Sequence, residues 1–427
     1  MASTAPPRIA FLLCAGCSSG AAMDAGSADS GVADTAPQDA LPTVPATPPP
    51  PPSEPGRHAV TLLETRRVIP GDGLPAETTA LVSNNNLDVV RHEGRVYLAW
   101  RTAPDHFASS RTVLYVVSST DERSWRFEQR LEAATDLREP RFLALGSALY
   151  LYVSRLGRDP LRFEPQGVSV TERGPDGRWS ALEPVGDPGL ILWRSRAVGP
   201  VGYLTVYRGG EHIYLFDGMP LEVEFLTTRD GRRWDPVEPA RRVVYRGGAS
   251  ETDFAFREDG SLVTVLRNEA GDDSGWGSLV CTATAAAPAQ WRCRNDPRKF
   301  DSPWMFHHDG EVYLLARRNV TETGHYDLLR RDHDRLRQTL DNQLAYTNAP
   351  KRCALWRYDA TRDTMVFILD LPSRGDTCFP SVLSTERPGE FVVYNYSSAI
   401  DGPDVAWNVG QQGPTFIYRH VLRFSPR

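Results

Sequence analysis

Six short strands of like composition that each follow a glycine-containing turn, together with a tryptophan recurring at nearly the same interval, predict an all-β fold: a six-bladed β-propeller. The strands are VYLAWR (96–101), LYLYVSR (149–155), YLTVYR (203–208), LVTVLR (262–267), VYLLARR (312–318) and FVVYNY (391–396). The first five close on Arg101, Arg155, Arg208, Arg267 and Arg318, at intervals of 54, 53, 59 and 51 residues. Trp125, Trp179, Trp234 and Trp291 follow at 54, 55 and 57. A period near 50 is about four short strands, which is one blade.

The elements before the repeat read as an address and a spacer. In MASTAPPRIAFLLCAGC, Arg8 precedes a short apolar run (9–15), and Ala15-Gly16 is a small-residue cleavage site ahead of Cys17. This resembles a bacterial lipoprotein signal, which implies lipidation of Cys17 and anchoring to the outer membrane or cell surface; a plain secretory signal, periplasmic or released, is the alternative. Residues 18–57 are dominated by Ala, Ser, Gly, Asp and Pro, with an unbroken proline run at 48–52. Such a stretch cannot bury enough apolar surface to fold, and its prolines keep it extended. The expected organisation is therefore signal 1–17, tether 18–57 and propeller 58–427.

The last repeat lacks a fourth strand after FIYRHVLRF (416–424), and AVTLLETRRVI (59–69) is expected to fill that place and close the ring. Residues 326–344 lack Gly and Pro, and Leu329, Leu336, Leu340 and Leu344 fall at helical spacings, so a helical insertion is expected in blade five. Export permits oxidation of Cys281, Cys293, Cys353 and Cys378. The local pairing, 281 with 293 and 353 with 378, is expected to join neighbouring strands.

Composition narrows the function. The net charge of −6 argues against a general nucleic-acid binder. Of 48 basic residues only Lys299 and Lys351 are lysines. There is no phosphate-binding glycine loop, no Cys/His zinc pattern and no Ser-His-Asp signature, so neither cofactor nor metal is expected. His307-His308 is not a metal-ligand spacing.

In a propeller the start of each innermost strand and the end of the next face one funnel. Those stretches here are 84–88, Arg138-Glu139-Pro140-Arg141, Trp193-Arg194-Ser195-Arg196, Glu251-Thr252-Asp253, Asp301-Ser302-Pro303 and 376–380, together with the periodic arginines and Tyr396. Charge there must be paired or used. Guanidinium forks hold a carboxylate bidentately, so an acidic or polar glycan is the expected ligand, bound by Arg101, Arg138, Arg141, Arg196, Arg267, Arg318 and Asp376. The polar-aromatic loop 397–412, with Trp407, Asn408 and Gln411, is of the kind that forms sugar platforms.

Ser119-Thr120-Asp121 before Trp125, and Thr228-Arg229-Asp230-Gly231 before Trp234, resemble the Asp-boxes of sialidases and their relatives over roughly residues 58–427. The resemblance implies that Glu251, the turn Glu258-Asp259-Gly260 and Arg267 form one pocket unit, that Arg317 or Arg318 supplies the next arginine, and that Asp105, beside His106, is the acid/base. The chain departs from the family twice. It has Asn84-Asn85-Asn86-Leu87-Asp88 where the family has Arg-Ile-Pro, and Phe379 where the family opens its last blade with tyrosine, which leaves Tyr396 or Tyr394 as the nearby phenol. Arg138-Glu139-Pro140 also resembles the Arg-Asp-Pro signature of furanosidase-type glycosidases, which implies Asp88, Glu139 and Glu251 as a carboxylate trio. The resemblances imply a sialidase-like exo-glycosidase with Glu251, Asp105, Glu139 and Tyr396 as catalytic residues; a non-catalytic glycan-binding or scaffold propeller is the alternative. The expected molecule is a monomer that meets membrane only through its lipid.

Overall fold

The computed structural model describes residues 47–427. Six antiparallel sheets stand in a ring, one per repeat. Their innermost strands are Ser83–His92, Leu137–Leu145, Ile191–Val198, Thr252–Phe256, Asp301–His308 and Ser381–Ser384. The second strands, Arg95–Ala103, Ala148–Arg155, Val201–Arg208, Leu262–Asp272, Glu311–Asn319 and Glu390–Ser397, contain the six like segments of the repeat. They are the most buried because a sheet covers each of their faces. Five blades have four strands; in blade three the fourth is split into Asp235–Pro236 and Val243–Gly247, both paired to Leu221–Thr228.

Ring closure follows the sequence. The strand His58–Ile69 pairs antiparallel with Phe416–Pro426 and completes blade six. The signal and Cys17 lie outside the described residues. Of the linker, residues 47–57 form no strand, but the Glu54 amide donates to the Phe367 carbonyl at 2.8 Å, which lays this stretch along blade five.

Each periodic tryptophan packs on the blade before its own. Trp125 meets Tyr394 of blade six edge-on, Trp179 meets Tyr97 of blade one, Trp234 meets Tyr152 of blade two, and Trp291 meets Phe225 of blade three. The period is therefore a rule of inter-blade packing. The turns ahead of two of them are held by one carboxylate each: Asp121 Oδ1 accepts from the amides of Arg123 and Ser124, and Asp230 Oδ1 from those of Arg232 and Arg233.

Inner strands are laced to those of the neighbouring blades by side chains. Asp88 accepts from the Phe142 amide of blade two and from the Ser381 hydroxyl of blade six, both at 2.7 Å. Asp253 of blade four pairs with Arg194 of blade three at 2.9 Å and accepts from the Met305 amide of blade five at 2.8 Å.

Two expectations need correction. The helical insertion begins nine residues later than expected: α1 spans Arg335–Thr347, capped by Asp334. Its leucines also face the wrong way for a core stripe, since Leu336 and Leu344, like Leu329 before the helix, are exposed. The helix covers a polar rim, so Gln338, Thr339, Asp341, Asn342 and Tyr346 are its buried positions. Both disulfides form as paired in the sequence. Cys281–Cys293 joins adjacent strands of blade four, but Cys378 precedes the inner strand of blade six, so Cys353–Cys378 ties blade five to blade six. No helix of the described residues is long and apolar enough to cross a membrane.

Candidate functional site

One cavity opens where inner strands begin and second strands end. Glu139, Glu251, Ser302 and Phe379 reach it from the first kind of position, and Tyr207, Arg267, Arg317 and Tyr396 from the second. Loops complete it with His106, Leu156–Phe163 positions, Tyr214, and the platform residues Trp407, Asn408 and Gln411. Gln343 and Thr347 of α1 close the blade-five side.

Backbone geometry aims several of these groups. Asn86, Glu139, Ser302 and Cys378 all have positive φ (41°, 55°, 52° and 117°), and none is glycine. Three sit at register breaks in the innermost strands, between 85 and 87, 138 and 141, and 301 and 304. A bulge at a strand entry turns one side chain out of the ladder, and a non-glycine residue at positive φ persists only where its surroundings hold it. Sequence periodicity carries no signal for such bulges.

Glu139 is the cavity's unpartnered carboxyl. It is buried, and its Oε2 has no hydrogen-bond partner. Burial, with the nearby charge of Glu251, pushes its pKa up to about 7. Glu251, by contrast, is held: Oε1 lies 2.8 Å from Arg267 Nη1, and Oε2 accepts from the Ser302 amide at 2.7 Å. Burial still leaves Glu251 above the ordinary carboxylate range against the pull of Arg267.

Around the far wall the charges form a chain. Arg267 also pairs with Glu269 at 3.2 Å, Glu269 with Lys299 at 2.5 Å, and Lys299 with Asp301 at 3.5 Å. Asp301 receives Arg317 Nη1 at 3.0 Å and the Tyr346 hydroxyl at 2.5 Å. Arg317 further donates to the carbonyls of Thr377 and Cys378 and, at 3.4 Å, to the Tyr396 hydroxyl. Tyr396 donates to Asp376 Oδ1 at 3.0 Å, which also accepts from Trp407 Nε1 at 2.9 Å; Asp376 Oδ2 lies 2.6 Å from His106 Nδ1. Burial opposes ionisation of Asp376, but His106, Arg317 and Trp407 hold its carboxyl below the usual range. Burial and the Asp376 charge push the Tyr396 phenol well above its ordinary value, so it stays a hydroxyl at neutral pH.

The structure thus brings Glu139, Glu251, Tyr396, Arg138 and Arg267 to one cavity, with Asp376 directly behind Tyr396 and His106. It places the other sequence-derived candidates elsewhere. Arg101 is fully buried in a bidentate pair with Asp136, at 2.9 and 3.0 Å. Arg141 lies deeper on the axis over the rings of Trp193 and Phe379. Arg196 reaches Asp253 and main-chain carbonyls. Arg318 points away from the funnel to Asp370 at 2.7 Å, so strand alternation selects Arg317. The Asp105 carboxylate caps the Phe107 amide at 2.9 Å, and its neighbour His106 lines the cavity instead. Asp88 is committed to the inter-blade bonds above and Tyr394 to Glu122. Among the described residues no group of three or more His, Cys, Asp or Glu is placed to hold a metal ion.

No protein-family model matches the chain, and no curated protein does. Solved structures share its fold. A protein of unknown function from Dyadobacter fermentans superposes with a TM-score of 0.56 at 13% identity, over 86% of this chain and all of its own. The endosialidase of phage phi92 gives 0.54 at 10% identity, over 87% of this chain and 70% of its own. Trypanosoma rangeli sialidase, captured as a covalent intermediate with 2,3-difluorosialic acid, gives 0.51 at 12% identity, over 86% of this chain and 59% of its own. At such identities the likeness is one of fold alone.

Proposed function

We propose that the protein is a sialidase-like exo-glycosidase that cleaves an acidic or polar glycan terminus in the central cavity. The observation that carries the reading is Glu139, a buried carboxyl with an unpartnered oxygen and a pKa of about 7, in a cavity that Arg138, Arg267 and Arg317 also line. A carboxylic acid that keeps its proton near neutrality can protonate a leaving oxygen. Three guanidiniums lining the same cavity can hold an anionic sugar substituent. The Tyr396 hydroxyl is engaged by Asp376 and Arg317, so we take direct displacement by water, with inversion, as the mechanism.

The Asp121 and Asp230 turns support reading those segments as Asp-boxes. The two disulfides support an oxidising compartment, and with the signal-like residues 1–17 they support an exported, lipid-anchored protein; we propose that it acts as a monomer on a glycan.

The test is hydrolysis of a panel of glycosides that includes sialosides and uronides, with alkyl and 4-nitrophenyl leaving groups. Turnover by the wild-type protein is expected. Glu139→Gln should lose about 10²–10⁴-fold on alkyl glycosides, and far less on nitrophenyl glycosides, whose leaving group needs no acid. A folded protein that turns over nothing contradicts the reading. Binding of glycans without turnover would establish the second reading, a binding propeller, which the platform of Trp407, Asn408 and Gln411 favours.

A further inference from the structure

We propose that His106 is the general base of this cavity, its tautomer set by Asp376, and that the loop expected to deliver Asp105 delivers His106 in its place. The assignment rests on the glycosidase reading and adds the group that activates water.

The geometry points to it in three ways. First, His106 Nδ1 lies 2.6 Å from Asp376 Oδ2, and Asp376 is fully buried and held ionised. A carboxylate oxygen only accepts, so the hydrogen between the two groups belongs to Nδ1, and in the neutral ring that tautomer leaves the lone pair on Nε2. Among the described residues Nε2 has no hydrogen-bond partner, and the ring lines the cavity. Second, the ring is fixed in place: it meets Trp407 at 82° with centroids 6.4 Å apart, and Trp407 itself donates to Asp376. Third, the main chain beneath it is braced by two guanidiniums. Arg101 donates to the carbonyls of Asp105 at 3.3 Å and Phe107 at 2.8 Å, and Arg138 donates to that of His106. Asp136 bridges the two arginines, at 2.9 Å and 2.7 Å. Three consecutive carbonyls held by the buried Arg101 and the partly buried Arg138 make a rigid mount for one side chain. Asp105 cannot serve, because its carboxylate is turned back onto the Phe107 amide.

The acid and the base reach the cavity from different blades. Glu139 enters with blade two and lies against Glu251 and Arg267 of blade four, while His106 hangs from blade one and is anchored to blade six. In the step, Nε2 takes a proton from water as the water oxygen bonds to the anomeric carbon. The bond from that carbon to the leaving oxygen breaks, and the Glu139 proton passes to that oxygen. Exchange with solvent restores both groups, and the product has the inverted anomeric configuration.

The experiment uses the full propeller with its tether and compares His106→Gln, His106→Ala and Asp105→Asn on the best glycoside of the panel, after thermal melting has shown each to be folded. His106→Gln should lower kcat about 10²–10⁴-fold with little change in KM. Added imidazole should restore part of the rate of His106→Ala, proton NMR should show the inverted anomer first, and Asp105→Asn should keep the wild-type rate. A kcat for His106→Gln within threefold of wild type, or a product of retained configuration, overturns the assignment while leaving the glycosidase reading intact. A wild-type protein without turnover on any glycoside overturns both.

Discussion

Nδ1 of His106 and Oδ2 of Asp376 stand 2.6 Å apart, a contact that ties the loop of blade one to the entry of blade six across the seam where the ring closes. Asp376 gathers donors from three directions: His106, Tyr396 and Trp407. A carboxylate with this many donors stays ionised although no water reaches it. Asp376→Asn keeps one acceptor oxygen and presents an amide to groups that all donate. We expect it to lower stability by about 1–3 kcal/mol, read by urea denaturation at pH 7, because buried donors lose their acceptor.

Glu139 should cost the fold stability as pH rises. Its pKa is about 7 in the folded chain against 4.5 for an ordinary glutamate. Below about pH 4.5 both states are protonated and the cost is absent. Between 4.5 and 7 the unfolded chain releases its proton and the folded one does not, so the cost grows and is complete above pH 7. Glu139→Gln removes the ionisation. It should match wild type at pH 4 and exceed it by on the order of 3 kcal/mol at pH 8. Urea midpoints at the two pH values measure this, and equal gains at both would refute it.

His420 works in the acid direction. It is fully buried, and burial lowers its pKa from 6.5 to about 3. Above pH 6.5 neither state holds the proton. As pH falls from 6.5 to 3 the unfolded chain binds a proton that the folded chain excludes, so stability is lost across that window. His420→Gln should weaken the protein at pH 7, where the contact to Thr65 at 3.0 Å is disturbed, yet flatten its loss of stability between pH 6.5 and 4. Thermal melting across the range distinguishes a flattened slope from a uniform shift.

The two disulfides should separate stability from activity. Cys378 is followed by Phe379, which lines the cavity, and its carbonyl receives Arg317 at 3.2 Å. Replacing Cys353 and Cys378 with serine should cost about 2–4 kcal/mol and also depress turnover. Replacing Cys281 and Cys293, on outer strands of blade four, should cost stability alone. Equal effects on turnover would contradict the placement.

Adjacent arginines give the plainest comparison. Arg317→Gln removes a guanidinium that lines the cavity and contacts Tyr396; Arg318→Gln removes one that faces Asp370. On acidic glycosides Arg317→Gln should raise KM or lower kcat at least tenfold, while Arg318→Gln should change turnover little. The two variants share composition and charge, so steady-state kinetics isolate position.

What could be read from the chain followed from regular spacing. The arginine and tryptophan periods, the glycine turns and the orphan strand at 59–69 are local patterns, and local patterns survive without knowledge of the fold. They determined six blades, the closure by the first strand, the cysteine pairing and the end of the ring at which charge collects. The site needed more. Whether Arg317 or Arg318 faces the funnel depends on the phase of one pleat, and whether Asp105 or His106 does depends on a loop held by Arg101 and Arg138 from other strands. Leucines at helical spacing in α1 marked a helix but not its burial, because the surface it covers, Asp301 and Trp276 among it, is itself polar-tipped. The bulge that turns Glu139 inward leaves no period at all. The order of strands is a property of the chain alone; which carboxyl stays unpaired and near pKa 7 depends on what six blades leave around it, since burial and neighbouring charge act through space.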